Sequence, residues 1–158
     1  MEGKPVRESI SEYSELALPN DANSHGNLLG GRVMHLVDVA AAMAAMRHGR
    51  LPVATASVDS LHFLHPVHIY ELVILRSSVN RVFRTSMEIG VKVETENLMT
   101  GRRLHTCSAY LTFVALGADG RATPVPPVIP ETEEEKRRYR EAGERREYRL
   151  AMRNRLKA

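Results

Sequence analysis

The chain has no tryptophan, one cysteine and only 5% aromatic residues among its 158. Its core must therefore be aliphatic, built from Val, Leu, Met and Ala. A lone thiol, Cys107, can neither close an intrachain disulfide nor supply a cysteine-based metal site, which fits a reducing compartment. No apolar run approaches the length needed to span a bilayer. The opening MEGKPVRESI lacks the apolar stretch of a secretory leader. A cytoplasmic protein with no membrane span is expected. No Gly-x-Ser-x-Gly segment is present, so a serine hydrolase would have no nucleophile elbow. Charge of one sign is lacking too. The formal net charge is +3, but much of the basic charge lies in the tail from Lys136 to Lys157, interleaved with Glu. A basic nucleic-acid face is therefore not indicated, and the size is that of one domain with a real core.

What is present is ordered. Residues 1–12 are polar and expected to be flexible, and Tyr13 to Leu18 suits a short strand. The segment from Pro19 to Asn27 is dense in turn formers and reads as an ordered loop. From Arg32 to His48 there is neither Pro nor Gly, and Ala, Met and Leu dominate, which predicts a helix. It is apolar nearly all round, so burial on most sides is expected. Gly49 is expected to stop it, with Arg47 and His48 at the negative end of its dipole. Residues 53–63, 72–82, 85–96 and 102–116 read as strands. In the third of these, Met87, Ile89, Val91 and Val93 alternate with Glu88, Gly90, Lys92 and Glu94, the pattern of a half-buried antiparallel strand. The expected class is α+β, an antiparallel meander curled around one buried helix. Residues 118–130 form a Pro-rich connector, and residues 131–158 a charged surface helix or tail.

Asp38 stands out because it sits two turns into that apolar helix. A carboxylate there is costly unless paired or hydrogen-bonded, and such groups are enriched at functional sites. The plainer alternative is a structural Asp facing a gap or paired with His35. Gly30 and Gly31 lead into the helix N-terminus, whose unsatisfied N–H groups could stabilise a developing oxyanion. A tight turn explains the same glycines. Asn23 could orient water or polarise a carbonyl, or simply form an Asx-turn. His62, His65 and His68 are discounted as a metal set, because a spacing of three alternates strand faces. Cys107 reads as a packed thiol.

Residues 21–38, DANSHGNLLGGRVMHLVD, resemble the signature of the hotdog-fold acyl-CoA thioesterases of the cytosolic acyl-CoA hydrolase group. Arg47-His48, the run Val53 to Asp59, Phe63 to Val67, Arg84 to Glu88 and Glu96-Asn97 follow in the same order, so the likeness covers residues 13–117. The resemblance implies an antiparallel sheet wrapped around a long central helix. It implies acyl-CoA as substrate, no cofactor or metal, and a homodimer with active sites at the interface that assembles as a trimer of dimers, a hexamer. Asp38 would act as general base or nucleophile, with Asn23 contributed by the other subunit. Gly30 and Gly31 would lie beside the thioester, and Arg84, Thr85 and Ser86 would contact CoA. Two positions depart from many relatives: Val39 replaces an acid, and Phe83 a glycine. The rival readings are a non-catalytic module that binds CoA thioesters, and a hotdog enoyl-thioester hydratase using His25 or His35.

Overall fold

The computed structural model describes residues 1–157. Its strands are β1 (Lys4–Pro5), β2 (Ser11–Leu16), β3 (Val53–Val58), β4 (His62–Phe63), β5 (Leu72–Phe83), β6 (Ser86–Glu96), β7 (Arg103–Ala115) and β8 (Val128–Ile129). The helices are α1 (Gly30–Gly49) and α2 (Glu133–Lys157). The main sheet has the order β2-β5-β6-β7-β3, antiparallel at every pairing, with β4 also on β7. Only β5-β6-β7 is the meander expected from the sequence. β3 does not pair with its successor; it crosses to the far edge, beside β7, because α1 carries the chain from one edge of the sheet to the other. The expected strand over 53–63 is two pieces, since Asp59 to Leu61 leave the ladder.

The N-terminus, expected to be flexible, is instead tied down. β1 pairs in parallel with β8, inside the stretch read as a plain connector. Val6 and Ser9 are buried, and the Ser9 hydroxyl accepts the Val79 N–H at 2.9 Å.

α1 lies in the curl of the sheet. Val33, Leu36, Val37, Ala40, Ala41, Ala44 and Ala45 are buried against Leu75, Met87, Ile89, Leu111 and Phe113. The small residues allow close approach, near enough for the Ser77 hydroxyl to donate to the Ala40 carbonyl at 2.6 Å. The helix is not buried all round, however. Met34 is 47% exposed and Met46 42%, and His35 is exposed as well. These side chains, with Asp38 and Ala42 between the two methionines at four-residue spacing, form one open stripe. Gly49 is the last helical residue rather than the stop. Arg50 takes the left-handed conformation (φ 53°) and its N–H closes on the Met46 carbonyl at 2.7 Å. A Cβ on Gly49 would lie 3.2 Å from Val125 Cγ1, so close packing accounts for the glycine.

His48 is wholly buried where α1 ends, with a ring Nε2 2.7 Å from the Pro126 carbonyl. Burial holds its pKa below the ordinary imidazole value, more than the Pro126 carbonyl raises it, and Lys4 pushes the same way as burial. Above about pH 6.5 the ring is neutral in both folded and unfolded chains, and its contribution is complete. As pH falls from there toward the lower folded pKa, the unfolded state takes up a proton that the folded state refuses. Stability should then drop by up to about 1.4 kcal/mol per pH unit. Urea midpoints at pH 7.5 and 5.5 check this, and a His48→Asn variant should lose that part of the slope.

α2 is a docked element, not a free surface helix. It opens with a capping box: Thr132 Oγ1 accepts the Glu135 N–H at 3.1 Å, and Glu135 Oε1 accepts the Glu131 N–H at 2.8 Å. Ala142 is fully buried, and Gly143 leaves room for Arg81, whose Nη1 would sit 2.5 Å from a Cβ there. The sequence assigned Glu88 to a solvent face. In the structure that face of β6 lies beneath α2, and Glu88 is fully buried. Its carboxylate accepts from Arg145 Nε (2.8 Å) and Nη2 (2.9 Å), from Arg149 Nη1 (3.3 Å) and from Asn80 Nδ2 (3.0 Å). Gly90 is what admits Asn80, whose Nδ2 would be 2.9 Å from any Cβ at that position.

Candidate active site

Asp38 lies on the open stripe of α1, half-buried. Its Oδ1 accepts the Thr55 hydroxyl at 2.8 Å. It makes no hydrogen bond with His35, so the structural pairing considered from the sequence is not the one formed. Thr55 sits on the edge strand β3, just before the bulge at Thr55/Ser57. One carboxylate oxygen is thus oriented by a hydroxyl, and the residue stays partly open. Sequence reasoning missed Thr55, because a threonine in a β-rich run carries no signal of a partner 17 residues away.

The turn-rich loop that leads to α1 is ordered, as expected. Asn23 Oδ1 accepts N–H groups from His25 (2.9 Å) and Asn27 (3.2 Å), an Asx-turn. That is the plainer of the two roles considered, and it leaves the amide NH2 without a partner among the described residues. Within one chain Asn23 and Asp38 share no hydrogen bond. The loop is pinned further on by Leu28 N–H to the Val67 carbonyl (2.7 Å) and by His68 Nδ1 against Asn27 Oδ1 (2.8 Å).

Gly30 and Gly31 form the first turn of α1. Leu29 is the N-cap and offers no side-chain cap, so the leading N–H groups stay available. Neither glycine has positive φ. A Cβ on Gly30 would make ordinary contact with the Phe63 ring at 3.6 Å, and one on Gly31 would meet nothing within 4 Å. Neither backbone conformation nor packing inside the chain demands glycine at 31. The space beside it is open for something from outside.

Arg84, Thr85 and Ser86 occupy the β5–β6 hairpin. Thr85 N–H donates to the Phe83 carbonyl at 2.8 Å across Arg84, whose φ is 63°, a tight γ-turn. All three line a groove of about 1160 Å³ between α2 and the outer face of the sheet. Asp38 is not in this groove, but β3 connects the two regions: Thr55 holds Asp38, and Ala56, Ser57 and Val58 line the groove.

This architecture and these side chains match known proteins. A model described as the thioesterase superfamily matches residues 25–101. The Bacillus subtilis (strain 168) protein called uncharacterized acyl-CoA thioester hydrolase YkhA is 45% identical over 129 residues, covering 82% of this chain and 75% of its own. The chain belongs to the thioesterase superfamily. Its fold is the hotdog fold, and two solved structures sit close to it. An apo-hexameric acyl-CoA thioesterase superposes with a TM-score of 0.93 at 40% identity, covering 96% of this chain and 97% of that one. An acyl-CoA hydrolase from Staphylococcus aureus, solved with butyryl-CoA, CoA and CoA disulfide, gives 0.91 at 34% identity over 98% and 94%. That hydrolase has also been solved with an asparagine, an aspartate or a threonine replaced by alanine. The asparagine precedes the aspartate by 15 positions and the threonine follows it by 17, the spacing of Asn23, Asp38 and Thr55 here.

The remaining candidates form no comparable arrangement among the described residues. His25 and His35 are exposed and hydrogen-bond no carboxylate. His62, His65 and His68 are exposed, and among the described residues no group of three or more His, Cys, Asp or Glu could hold a metal. Cys107 is buried, and burial pushes its thiol pKa up, which keeps it unreactive. No helix among the described residues is long and apolar enough to cross a membrane.

Proposed function

We propose that this thioesterase hydrolyses acyl-CoA to free fatty acid and CoA at a site centred on Asp38. The observation that carries the reading is the hydroxyl-held, half-open Asp38 carboxylate on the helix whose uncapped N-terminus begins at Gly30. The thioester carbonyl docks against the N–H groups of Gly30 and Gly31, where the helix dipole and free donors favour a developing oxyanion. Asp38 takes a proton from water, and the water oxygen bonds to the carbonyl carbon. The tetrahedral intermediate collapses, the C–S bond breaks, and the sulfur leaves with the proton. Thr55 keeps the carboxylate in place throughout. A thioester is activated enough that this route needs neither metal nor cofactor, and all of it suits the cytoplasm.

The site is completed by a second copy of the chain. α1 leaves an apolar stripe open beside Asp38, and β3 is an unblunted edge strand with Ala54, Thr55, Ala56 and Val58 exposed. Pairing two copies edge to edge would cover both and bring the unused amide of Asn23 to the partner's site. A trimer of such dimers accords with the hexamer described for a relative.

Gly31 offers a separate test. Alanine there should leave stability within about 0.5 kcal/mol, because it meets nothing in the chain and favours the helix. It should lower kcat/KM at least about tenfold by crowding the carbonyl. Thermal melts and initial rates check the pair of effects.

Free-thiol release across a panel of saturated acyl-CoAs tests the function itself. Steady turnover is expected for part of the panel. Given an α,β-unsaturated enoyl-CoA beside the panel, loss of the enoyl absorbance without thiol release would contradict hydrolysis and support a hydratase. CoA binding without release of any thiol would support a non-catalytic module.

A further inference from the structure

The groove between α2 and the outer sheet face is lined by five arginines and one acid, Asp59. Arg145 is ion-paired with Glu88, and Arg149 through its Nη1 with Glu88 and Asp59. Among the described residues Arg84, Arg146 and Arg153 have no ion pair. Arg146 is the informative one. It is half-buried, its nearest polar contact is Ser86 Oγ at 3.5 Å, and it stacks 4.4 Å over the Phe83 ring. Burial lowers its pKa, and the surrounding cations Arg149, Arg153 and Arg81 lower it further. A half-buried cation set among cations is unfavourable until an anion joins it.

Two of the three buried side-chain atoms without a hydrogen-bond partner among the described residues also belong to this groove: Arg149 Nη2 and Thr112 Oγ1. Such orphans are rare and call for a polar partner. Beside them Tyr148 is 68% exposed and presents a flat ring to the groove. Clustered guanidiniums next to hydroxyls and an open aromatic face are what a phosphate-bearing nucleotide requires.

We propose that α2 supplies half of the substrate-binding surface, and that Arg146 and Arg153 bind the phosphates of the nucleotide end of CoA, with Tyr148 under the base. The inference rests on the acyl-CoA reading, and it makes the charged tail a recognition element rather than a solvated appendage. Arg84, Thr85 and Ser86 then meet the same phosphates from the hairpin side. β3 runs from this groove to Thr55, the residue that holds Asp38.

The test is calorimetric binding of CoA and of pantetheine, which lacks the nucleotide, to the wild-type chain and to a variant with Arg146→Gln and Arg153→Gln. Neither arginine has an ion pair to lose among the described residues, so matched thermal melts should confirm an intact fold. The wild type should prefer CoA to pantetheine at least about tenfold, and the variant should lose at least about tenfold in CoA affinity with pantetheine unchanged. KM for acyl-CoA should rise with kcat kept, while an acyl-N-acetylcysteamine thioester is hydrolysed equally by both. Unchanged CoA affinity overturns the proposal, as does an equal loss for pantetheine. Unchanged affinity with an altered oligomeric mass would instead make the groove a contact between copies, and also overturns it. If the wild type binds CoA through these arginines yet releases thiol from no thioester, the hydrolase reading falls and the groove assignment stands.

Discussion

Asp38→Asn should lower acyl-CoA turnover by about a thousandfold or more while leaving the melting temperature nearly unchanged. The amide keeps the shape of the carboxylate and can still accept the Thr55 hydroxyl, so the local hydrogen bond survives. What is lost is the ability to take a proton from water, a contribution of roughly 10² to 10⁴ in rate for a positioned general base. The stability cost should be small, within about 1 kcal/mol, because Asp38 is half-open and anchors only that one bond. Initial rates of thiol release and thermal melts on the same preparations check both halves. Near-normal turnover in the variant would remove Asp38 from the mechanism.

Glu88→Ala should have the largest effect on stability, about 3–5 kcal/mol, the usual cost of removing one partner from a buried charge network. Glu88 is fully buried, and it is the acceptor shared by Arg145, Arg149 and Asn80. Burial tends to lower the Arg145 pKa, yet Glu88 more than offsets this and leaves it raised overall, which marks how far that guanidinium relies on the carboxylate. Without Glu88, two arginines stay against the sheet with Asp59 as the one ion-pair partner left among the described residues, and the Arg145 stack on Tyr110 at 3.6 Å does not neutralise them. α2 should loosen at its C-terminal half, from Arg145 onward, while Ala142 and the capping box hold its start. Denaturant midpoints at a fixed chain concentration check the size of the effect, since assembly adds to apparent stability. A change below about 1 kcal/mol would mean that α2 is not held through Glu88.

The comparison with the sequence divides along physical lines. α1, β5, β6 and β7 were legible because each carries its own period: a Pro-free, Ala-rich run for the helix, and alternation for the strands. Asp38 was legible as a charge on an apolar helix, although the burial inferred for it was too complete. The sequence shows that a face must be covered; it does not show whether the same chain covers it. Met34 and Met46 are apolar and open, and the helix pattern is identical either way. Glu88 was misread for the converse reason. Its alternation with Met87 and Ile89 marks the outer face of the sheet, and only the docking of α2 turns that face into an interior. The position of β3 beyond β7, and with it the Thr55–Asp38 contact, depends on a crossover that no local pattern encodes. The Asx-turn at Asn23 was one of the two roles legible in the sequence because it is local, its partners lying two and four residues away.

Asn23 and Asp38 form no hydrogen bond with each other within one chain, and the proposed site joins them only across two copies. The most direct test is to co-express Asp38→Asn and Asn23→Ala chains, each nearly inactive alone, and measure acyl-CoA hydrolysis by the mixed assembly. Random pairing leaves one intact site in half of the dimers, so about a quarter of wild-type activity should return. Activity no greater than the sum of the two parent variants would contradict a site built from both subunits.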